Sequence, residues 1–240
     1  MSNWVLQPVP GWVIAQAVTN QIIAALSEDC RAVLAPRLMT KPIRAGEVLY
    51  VAGSPARSLI FPHDGMISLQ TRLSDGRMIE QGQVCRDSMA GSEALLGVER
   101  APAHAVVVLS GEASWLPVAD LMEARQRFPS LDRAIQAHLA RTMARTAQAV
   151  VCASVHTASQ RIAGWLLRAD DMILTDSLQL MQRSLAELLG LRLATVSEAC
   201  SRLMRAGAIR YSRGSLTIID RALLVSQACE CYEANLAVTR

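Results

Sequence analysis

The side chains best suited to chemistry form a basic run between residues 183 and 221. Seven arginines stand there against three acids, Glu187, Glu198 and Asp220, which gives this segment a formal charge of +4. Guanidinium groups form paired hydrogen bonds with phosphate and with guanine. Because phosphate contacts dominate the affinity of proteins for DNA, the run indicates a surface that binds nucleic acid. The alternative is a helical subdomain whose charges are only solvated.

The same segment has the residue spacing of a helix-turn-helix. A short first helix is predicted over Arg183–Leu189 and a second helix from about Leu193 to Arg205. Gly190 stands between them, and glycine tolerates the left-handed backbone of a turn. Counted from residue 182, the fifth, ninth and fifteenth positions are Ala186, Gly190 and Val196. The motif requires a small residue, a turn glycine and a core aliphatic residue at these places.

Two β-prone runs follow the second helix. Residues 208–211 (AIRY) and 216–219 (LTII) flank the turn sequence SRGS, and this pattern predicts a β-hairpin. A hairpin in this place is the wing of a winged helix-turn-helix. With an amphipathic helix predicted over 154–168 and a polar linker over 169–180, the DNA-binding domain is expected to span residues 154–240.

Strand periodicity replaces helix periodicity in the N-terminal half. After a helical stretch over 21–38, strands are predicted at 47–51, 58–61, 67–73, 78–84, 105–109 and 113–118. Short strands separated by regular turn sequences indicate a β-sandwich or jelly roll. A short helix over 119–128 completes a sensor domain of residues 21–128.

A long helix is predicted over residues 129–153. Its apolar or small positions alternate in steps of three and four, which is the spacing of a coiled-coil seam. The seam comprises Leu131, Ile135, His138 or Leu139, Thr142, Thr146, Ala149 and Ala153. We expect it to pack against a second chain, and the alternative is a helix packed on its own β-domain. A two-fold dimer would place two recognition helices in successive major grooves of DNA.

The chain length and the N-terminus bound the remaining possibilities. A chain of 240 residues, of which 51% are hydrophobic, suits two modest domains with sizeable cores. The apolar runs are too short for a membrane-spanning helix, so a cytoplasmic protein without membrane contact is expected.

Residues 1–20 lack the basic start of a signal peptide. They are interpreted as an N-terminal arm or as an extension from an upstream start codon.

Six cysteines are scattered along the sequence, and only Cys229 and Cys231 are close together. Thiols are reduced in the cytoplasm, and the sequence has no zinc-ligand spacing. We therefore expect inert thiols and no metal site. The alternative is that Cys229 and Cys231 form a thiol pair that senses an oxidant or a metal.

These elements together make an α+β chain that resembles the Crp/Fnr superfamily of bacterial transcription regulators over residues 21–231. The resemblance rests on GEVLYVAGSPA, FPHDGMISL, HTASQRIAGWLL and LAELLGLRLATVSEACSRLMRAGAIRYSRGSLTIIDR. The tail ACECY at 228–232 is similar to that of a poorly characterised branch. The family implies a symmetric dimer, a cyclic-nucleotide-binding-like sensor domain, regulated binding to a palindromic promoter site and contact with RNA polymerase.

The recognition helix departs from one well-known pattern of that family. In the catabolite activator this helix reads R-E-T-V-x-R, and both arginines and the glutamate contact bases. The matching positions run from Leu193 to Glu198, where Thr195 and Val196 match but the three base readers do not. A different DNA half-site is therefore expected.

Eight residues are predicted to contact DNA. Ser197, Glu198 and Ser201 are expected to read bases, since a carboxylate can accept a hydrogen bond from a cytosine amino group. Glu198 could instead pair with Arg202, its i+4 neighbour. The other predicted contacts are Arg183, Arg192, Thr195, Arg202 and Arg213, and all but the first of these are expected on phosphates.

The sensor domain also departs from the family. A cyclic-nucleotide pocket uses a Gly-Glu pair for the ribose hydroxyl and, further on, an Arg beside Ser or Thr for the cyclic phosphate. Here Glu93 is offset by one residue, Arg100 is displaced, and no Arg stands beside Ser or Thr at the required place. We expect no binding of cyclic AMP. The candidate ligand-pocket residues are Glu93, Arg100 and His104.

No cofactor is predicted. The iron–sulfur branch of the family needs a cluster of N-terminal cysteines, and none precedes Cys30. Haem would need an axial ligand, for which the candidates are His63, His104, His138 and His156. Each is interpreted as a surface or structural residue, and His63 is expected to stabilise the turn PHDG.

The predicted function is that of a sequence-specific transcription regulator that binds double-stranded DNA as a homodimer. The alternative is a ligand- or thiol-sensing interaction module whose helix-turn-helix serves protein contacts. An enzyme is not expected, because the sequence has no nucleophile elbow, P-loop, metal triad or dinucleotide fingerprint.

Overall fold

The computed structural model describes residues 20–174 and 177–238, and it has the expected α+β architecture. The arm predicted for residues 1–20 lies outside the described residues, apart from Asn20. Asn20 caps the first helix, because its side-chain oxygen accepts hydrogen bonds from the backbone N–H groups of Ile22 and Ile23.

The N-terminal domain is built on two antiparallel sheets, which confirms the predicted jelly roll. One sheet has the strand order β1-β7-β3 and the other β2-β6-β4-β5. The strands are β1 (Met39–Ile43), β2 (Val48–Tyr50), β3 (Ser58–Pro62), β4 (Met66–Arg72), β5 (Met78–Val84), β6 (His104–Leu109) and β7 (Gly111–Pro117). Strand β1 is missing from the sequence prediction because four of its five residues are exposed, so its apolar residues do not alternate.

Helices cover one end of this sandwich. They are α1 (Gln21–Ala24), α2 (Glu28–Leu34), α3 (Val118–Arg127) and the long α4 (Pro129–Val155). Leu131 and Ile135 of α4 are buried in the core of the sandwich, and Leu139 packs against it. Leu131, Ile135 and the alternative seam residue His138 are therefore not open to a second chain, and the predicted dimer seam is corrected at these positions, whereas Leu139 stays partly exposed. The rest of the predicted seam, Thr142, Thr146, Ala149 and Ala153, is at least partly exposed.

The helical conformation is interrupted at His156, which is extended, and helix α5 (Ala158–Met172) begins two residues later. Thr157 and Gln160 form a capping box, in which each side chain bonds the other's backbone N–H. The helix therefore starts later than the predicted residue 154. Its apolar face is buried, including Trp165 and Leu166.

Within the described residues, the C-terminal domain combines α5 with a three-stranded sheet and four further helices. The elements are β8 (Leu178–Gln179), α6 (Gln182–Leu189), α7 (Leu193–Arg205), β9 (Ile209–Ser212), β10 (Ser215–Ile218), α8 (Arg221–Gln227) and α9 (Cys231–Ala237). The strand order is β8-β10-β9. Strand β8 falls in the predicted polar linker, since two residues are too few to show a period.

A buried carboxylate joins the two domains. Asp87 is 2% exposed and accepts hydrogen bonds from Arg145 of α4 at 2.6 Å and Arg168 of α5 at 2.8 Å. Burial raises the pKa of Asp87, but the two guanidinium groups outweigh it and hold the pKa below its usual value. Nearby, Trp165 Nε1 donates to Glu80 Oε1 at 3.0 Å. These contacts fix α5 against the sandwich.

Candidate functional site

Helices α6 and α7 form the predicted helix-turn-helix. Gly190 adopts a left-handed φ of 64° at the turn, where most other residues would be strained. The N–H of Leu191 closes the turn on the carbonyl of Ala186 at 2.9 Å. Ala186 and Val196 are buried, which confirms the motif positions read from the sequence.

The polar face of α7 is turned to solvent. Its apolar face is buried through Val196, Ala199, Cys200 and Leu203. Among the predicted DNA contacts on this motif, Arg183, Arg192, Glu198 and Arg202 are exposed, and Thr195, Ser197 and Ser201 are partly buried. The predicted contacts on α7 are thus at least partly accessible.

Glu198 and Arg202 form an ion pair along the surface of α7. Glu198 Oε1 lies 3.5 Å from Arg202 Nη1, and the two side chains are 69% and 53% exposed. The structure thus contains the i,i+4 pair that was the alternative to base readout. Such an exposed pair is weak, so it does not remove Glu198 from the accessible surface.

The wing is the hairpin of β9 and β10. Arg213 has a φ of 51° and Gly214 a φ of 81°, so both turn residues are left-handed, as in a type I′ turn. Positive φ is uncommon for a residue other than glycine. Arg213 is exposed there. At the base of the wing, the hydroxyl of Tyr211 donates to the carbonyl of Leu180, which anchors the hairpin.

A cavity of about 180 Å³ opens in the sandwich. Glu93 and Arg100 line it, and Arg57 adds a second guanidinium group. No spacing identifies Arg57 in the sequence, because it stands in an irregular turn before β3. His104 is not among the lining residues, which corrects its assignment to the pocket. His104 lies in β6, where it is opposite Gln70 of the neighbouring antiparallel strand β4.

Two aromatic side chains also line the cavity. Tyr50 and Trp115 line it, and Lys41 Nζ lies 4.2 Å from the centre of the Trp115 ring. Burial raises the pKa of Tyr50, and the charge of Glu93 raises it further. The cavity therefore offers two cationic groups, one carboxylate and two ring systems to a small ligand.

His63 and His138 are structural. Nδ1 of His63 accepts the N–H of Asn20 at 3.3 Å, so Nε2 carries the proton and donates to Ser114 Oγ at 2.6 Å. Burial lowers the pKa of His63, which fits a neutral ring that stabilises the turn. Burial, aided by Arg141, lowers the pKa of His138 to about 4.

Four potential metal ligands meet at the end of α4. Cys152, His156, Cys229 and Cys231 each offer one ligand atom, and these atoms lie within 4.8 Å of one another. The expectation of inert thiols and no metal site rested on the absence of zinc-ligand spacing in the sequence, but the fold brings Cys152 and His156 beside Cys229 and Cys231. Cys152 and Cys229 are 77 positions apart in the sequence, so local spacing could not reveal the cluster.

Two family profiles match the chain. Residues 40–128 match the cyclic nucleotide-binding domain, and residues 160–226 match the Crp-like helix-turn-helix domain. The matched ranges correspond to the sandwich and to the helix-turn-helix described above. No curated protein matches the sequence. Within residues 20–174 and 177–238, no helix is both long and apolar enough to cross a membrane.

Solved structures share the fold. FixK2 from Bradyrhizobium japonicum is 21% identical, with a TM-score of 0.69 over 80% of this chain and 98% of that chain. A CRP-family transcriptional regulator from Thermus thermophilus is 22% identical, with a TM-score of 0.65 over 78% and 96%. A CRP/FNR-family regulator from the same organism is 23% identical, with a TM-score of 0.66 over 79% and 98%.

Proposed function

Because the chain belongs to the Crp/Fnr family of transcription regulators, we propose that it binds a palindromic site in double-stranded DNA as a homodimer. The observation that carries the proposal is the solvent-facing polar side of α7, which is held by the buried side chains of Val196, Ala199, Cys200 and Leu203. In helix-turn-helix proteins the second helix enters the major groove and contacts base edges.

The accessible residues divide into base readers and phosphate contacts. Ser197, Glu198 and Ser201 offer hydroxyl and carboxylate groups to base edges. Arg192 precedes the first turn of α7 and Arg213 stands in the turn of the wing, so we assign both to phosphates on either side of the groove. We assign Arg183, Thr195 and Arg202 to further contacts with the sugar–phosphate backbone of the DNA.

The dimer surface that we assign is the outward face of α4. Met143 and Val150 are one heptad apart and are 74% and 63% exposed. They lie on the side opposite Arg145 and Cys152, which contact the chain itself. An exposed apolar row of this kind marks a protein interface. The predicted row from Thr142 to Ala153 flanks this face.

In this proposal the sensor domain does not bind cyclic AMP. Its cavity of about 180 Å³ is smaller than the roughly 300–1,000 Å³ of typical small-molecule sites. Arg100 Nη1 donates to the carbonyl of Gly53 at 2.7 Å, so this guanidinium group is tied to a turn rather than set beside Ser or Thr. A cyclic phosphate would thus lack its usual partners.

DNA binding by the purified protein tests the proposal. We expect tighter binding to the DNA upstream of its own gene than to a scrambled duplex. Affinity should fall steeply with salt, since about 6–10 phosphate contacts cost roughly 10³–10⁵-fold in affinity between 50 and 200 mM salt. Salt-independent binding, or no binding, would contradict the proposal.

A matched pair of arginine variants makes this test specific. Arg213→Asn keeps a residue that tolerates positive φ, so the wing turn is preserved while the phosphate contact is lost. The slope of log affinity against log salt should fall by about one unit. Arg77→Asn, on an exposed hairpin of the sandwich, should leave the slope unchanged.

One observation favours the alternative, a module that uses the helix-turn-helix for protein contacts. Leu193 is 46% exposed at a position where the catabolite activator has a base-reading arginine. An apolar side chain there suits a protein partner, although it also suits a thymine methyl group. The salt experiment separates the two, because only binding to DNA releases counterions in proportion to phosphate contacts.

A further inference from the structure

The cysteine–histidine cluster joins two distant parts of the chain. Cys152 lies in the last turn of α4, and His156 follows where that helix ends. Cys229 and Cys231 come from the junction of α8 and α9, in the C-terminal tail. Cys229 and Cys231 are 5% and 3% exposed, and the His156 side chain is 10% exposed. The ligand atoms therefore face one another in a shielded site.

The separations fit a tetrahedral zinc site. Zinc binds cysteine sulfur at about 2.3 Å and histidine nitrogen at about 2.0–2.1 Å, so tetrahedral edges are roughly 3.8 Å for S···S and 3.5 Å for S···N. Cys152 Sγ and Cys229 Sγ are 3.6 Å apart, and Cys231 Sγ is 3.4 Å from His156 Nδ1. We propose that Cys152, His156, Cys229 and Cys231 bind one zinc ion as a closed Cys₃His site.

The surroundings of the cluster support the same assignment. Nδ1 of His156 faces the thiols, and its Nε2 lies 3.2 Å from Glu230 Oε1. A histidine ligand commonly donates its other N–H to a carboxylate, which orients the ring and makes it a better ligand. Gln148 Nε2 donates to Cys231 Sγ at 3.0 Å, as suits a thiolate.

The site has a mechanical consequence. Four protein ligands leave no open position, which is typical of structural rather than catalytic zinc. Cys152 belongs to the long helix α4, whereas Cys229 and Cys231 belong to the end of the DNA-binding domain. The metal would clip this domain to α4 beside the α4–α5 junction and limit its rotation.

Metal analysis of the full-length protein, purified under reducing conditions and loaded with ZnCl₂, is the direct test. We expect about one zinc per chain after gel filtration. Replacement by Co²⁺ should give the thiolate charge-transfer and d–d absorption bands of a tetrahedral site. No DNA is involved, so failure of this proposal is distinguishable from failure of the DNA-binding proposal.

Variants assign the ligands. Cys229→Ser with Cys231→Ser should abolish stoichiometric zinc and the cobalt spectrum, whereas Cys30→Ala, which removes a buried thiol of α2, should change neither. Glu230→Gln alters a side chain that is 78% exposed, so it should fold normally while zinc affinity falls about 10–100-fold.

Three results would overturn the proposal. The first is reduced wild-type protein that takes up neither zinc nor cobalt. The second is undiminished stoichiometric binding in the double cysteine variant, or undiminished affinity in Glu230→Gln. The third is a purified protein in which Cys152 and Cys229 form a disulfide that, once reduced, still binds no metal.

Discussion

Glu198 is the only acid in the sequence of α7. Its role depends on whether its carboxylate binds Arg202 or a base of the DNA. In the free protein it pairs with Arg202 at 3.5 Å. An exposed i,i+4 pair is worth about 0.3–0.5 kcal/mol. A good base contact discriminates by about 1–3 kcal/mol. The pair can therefore open on DNA, which would free the carboxylate for a base and the guanidinium group for a phosphate.

Substitution of Glu198 by alanine tests this base contact. We expect Glu198→Ala to lose about 1–3 kcal/mol of preference at one base pair of each half-site. Its affinity for scrambled DNA should stay the same or rise, because a negative charge is removed. Competition binding with single-base variants of the target measures both effects.

Glu187→Ala is the matched control, since it removes an exposed acid from α6. Glu187→Ala should change the affinity for all DNA sequences alike, so the preference for the target base pair should stay the same. An unchanged preference in Glu198→Ala would show that Glu198 only pairs with Arg202.

Single residues were predictable from the sequence where their packing is local. Ala186, Gly190 and Val196 lie in two adjacent helices and the turn between them, so a fixed spacing identifies them. Cys152 and His156 carry no such pattern, because their partners arrive from a segment more than 70 positions away. Only the tertiary fold brings Cys152 and His156 to Cys229 and Cys231.

Helix α4 shows why a repeat alone does not tell which row of side chains is left to solvent. Steps of three and four identify helical rows, but several rows on one helix share that spacing. Leu131 and Ile135 pack against the sandwich, and Arg145 forms a salt bridge with Asp87. The inward-facing row of α4 therefore makes contacts within the chain. The apolar row left to solvent is centred on Met143 and Val150.

A charge placed on this row tests the dimer surface. Val150→Glu should convert the proposed homodimer to a monomer at micromolar concentration, because two carboxylates would face each other in an apolar interface. Sedimentation velocity measures the change. Leu96→Glu introduces the same charge at a site on the sandwich that is 67% exposed, and it should leave the dimer intact. A Val150→Glu protein that stays dimeric would place the interface elsewhere.

Across the whole molecule, the order of domains follows from the sequence but their contacts do not. A jelly roll, a long helix and a winged helix-turn-helix each have a period or spacing of their own. The ion cluster of Asp87, Arg145 and Arg168 unites three segments, and its members look like ordinary surface charges in the sequence. The proposed zinc ligands and the cavity residue Arg57 escape prediction for the same reason.

The most direct measurement of the central claim is a footprint on DNA selected from a random pool by the purified protein. A homodimer should protect two identical half-sites in inverted orientation, with centres about 10–10.5 bp or a multiple of this apart. We predict this two-fold footprint and its loss in Val150→Glu. A single asymmetric site, or a pool without enriched sequence, would contradict the proposed binding mode.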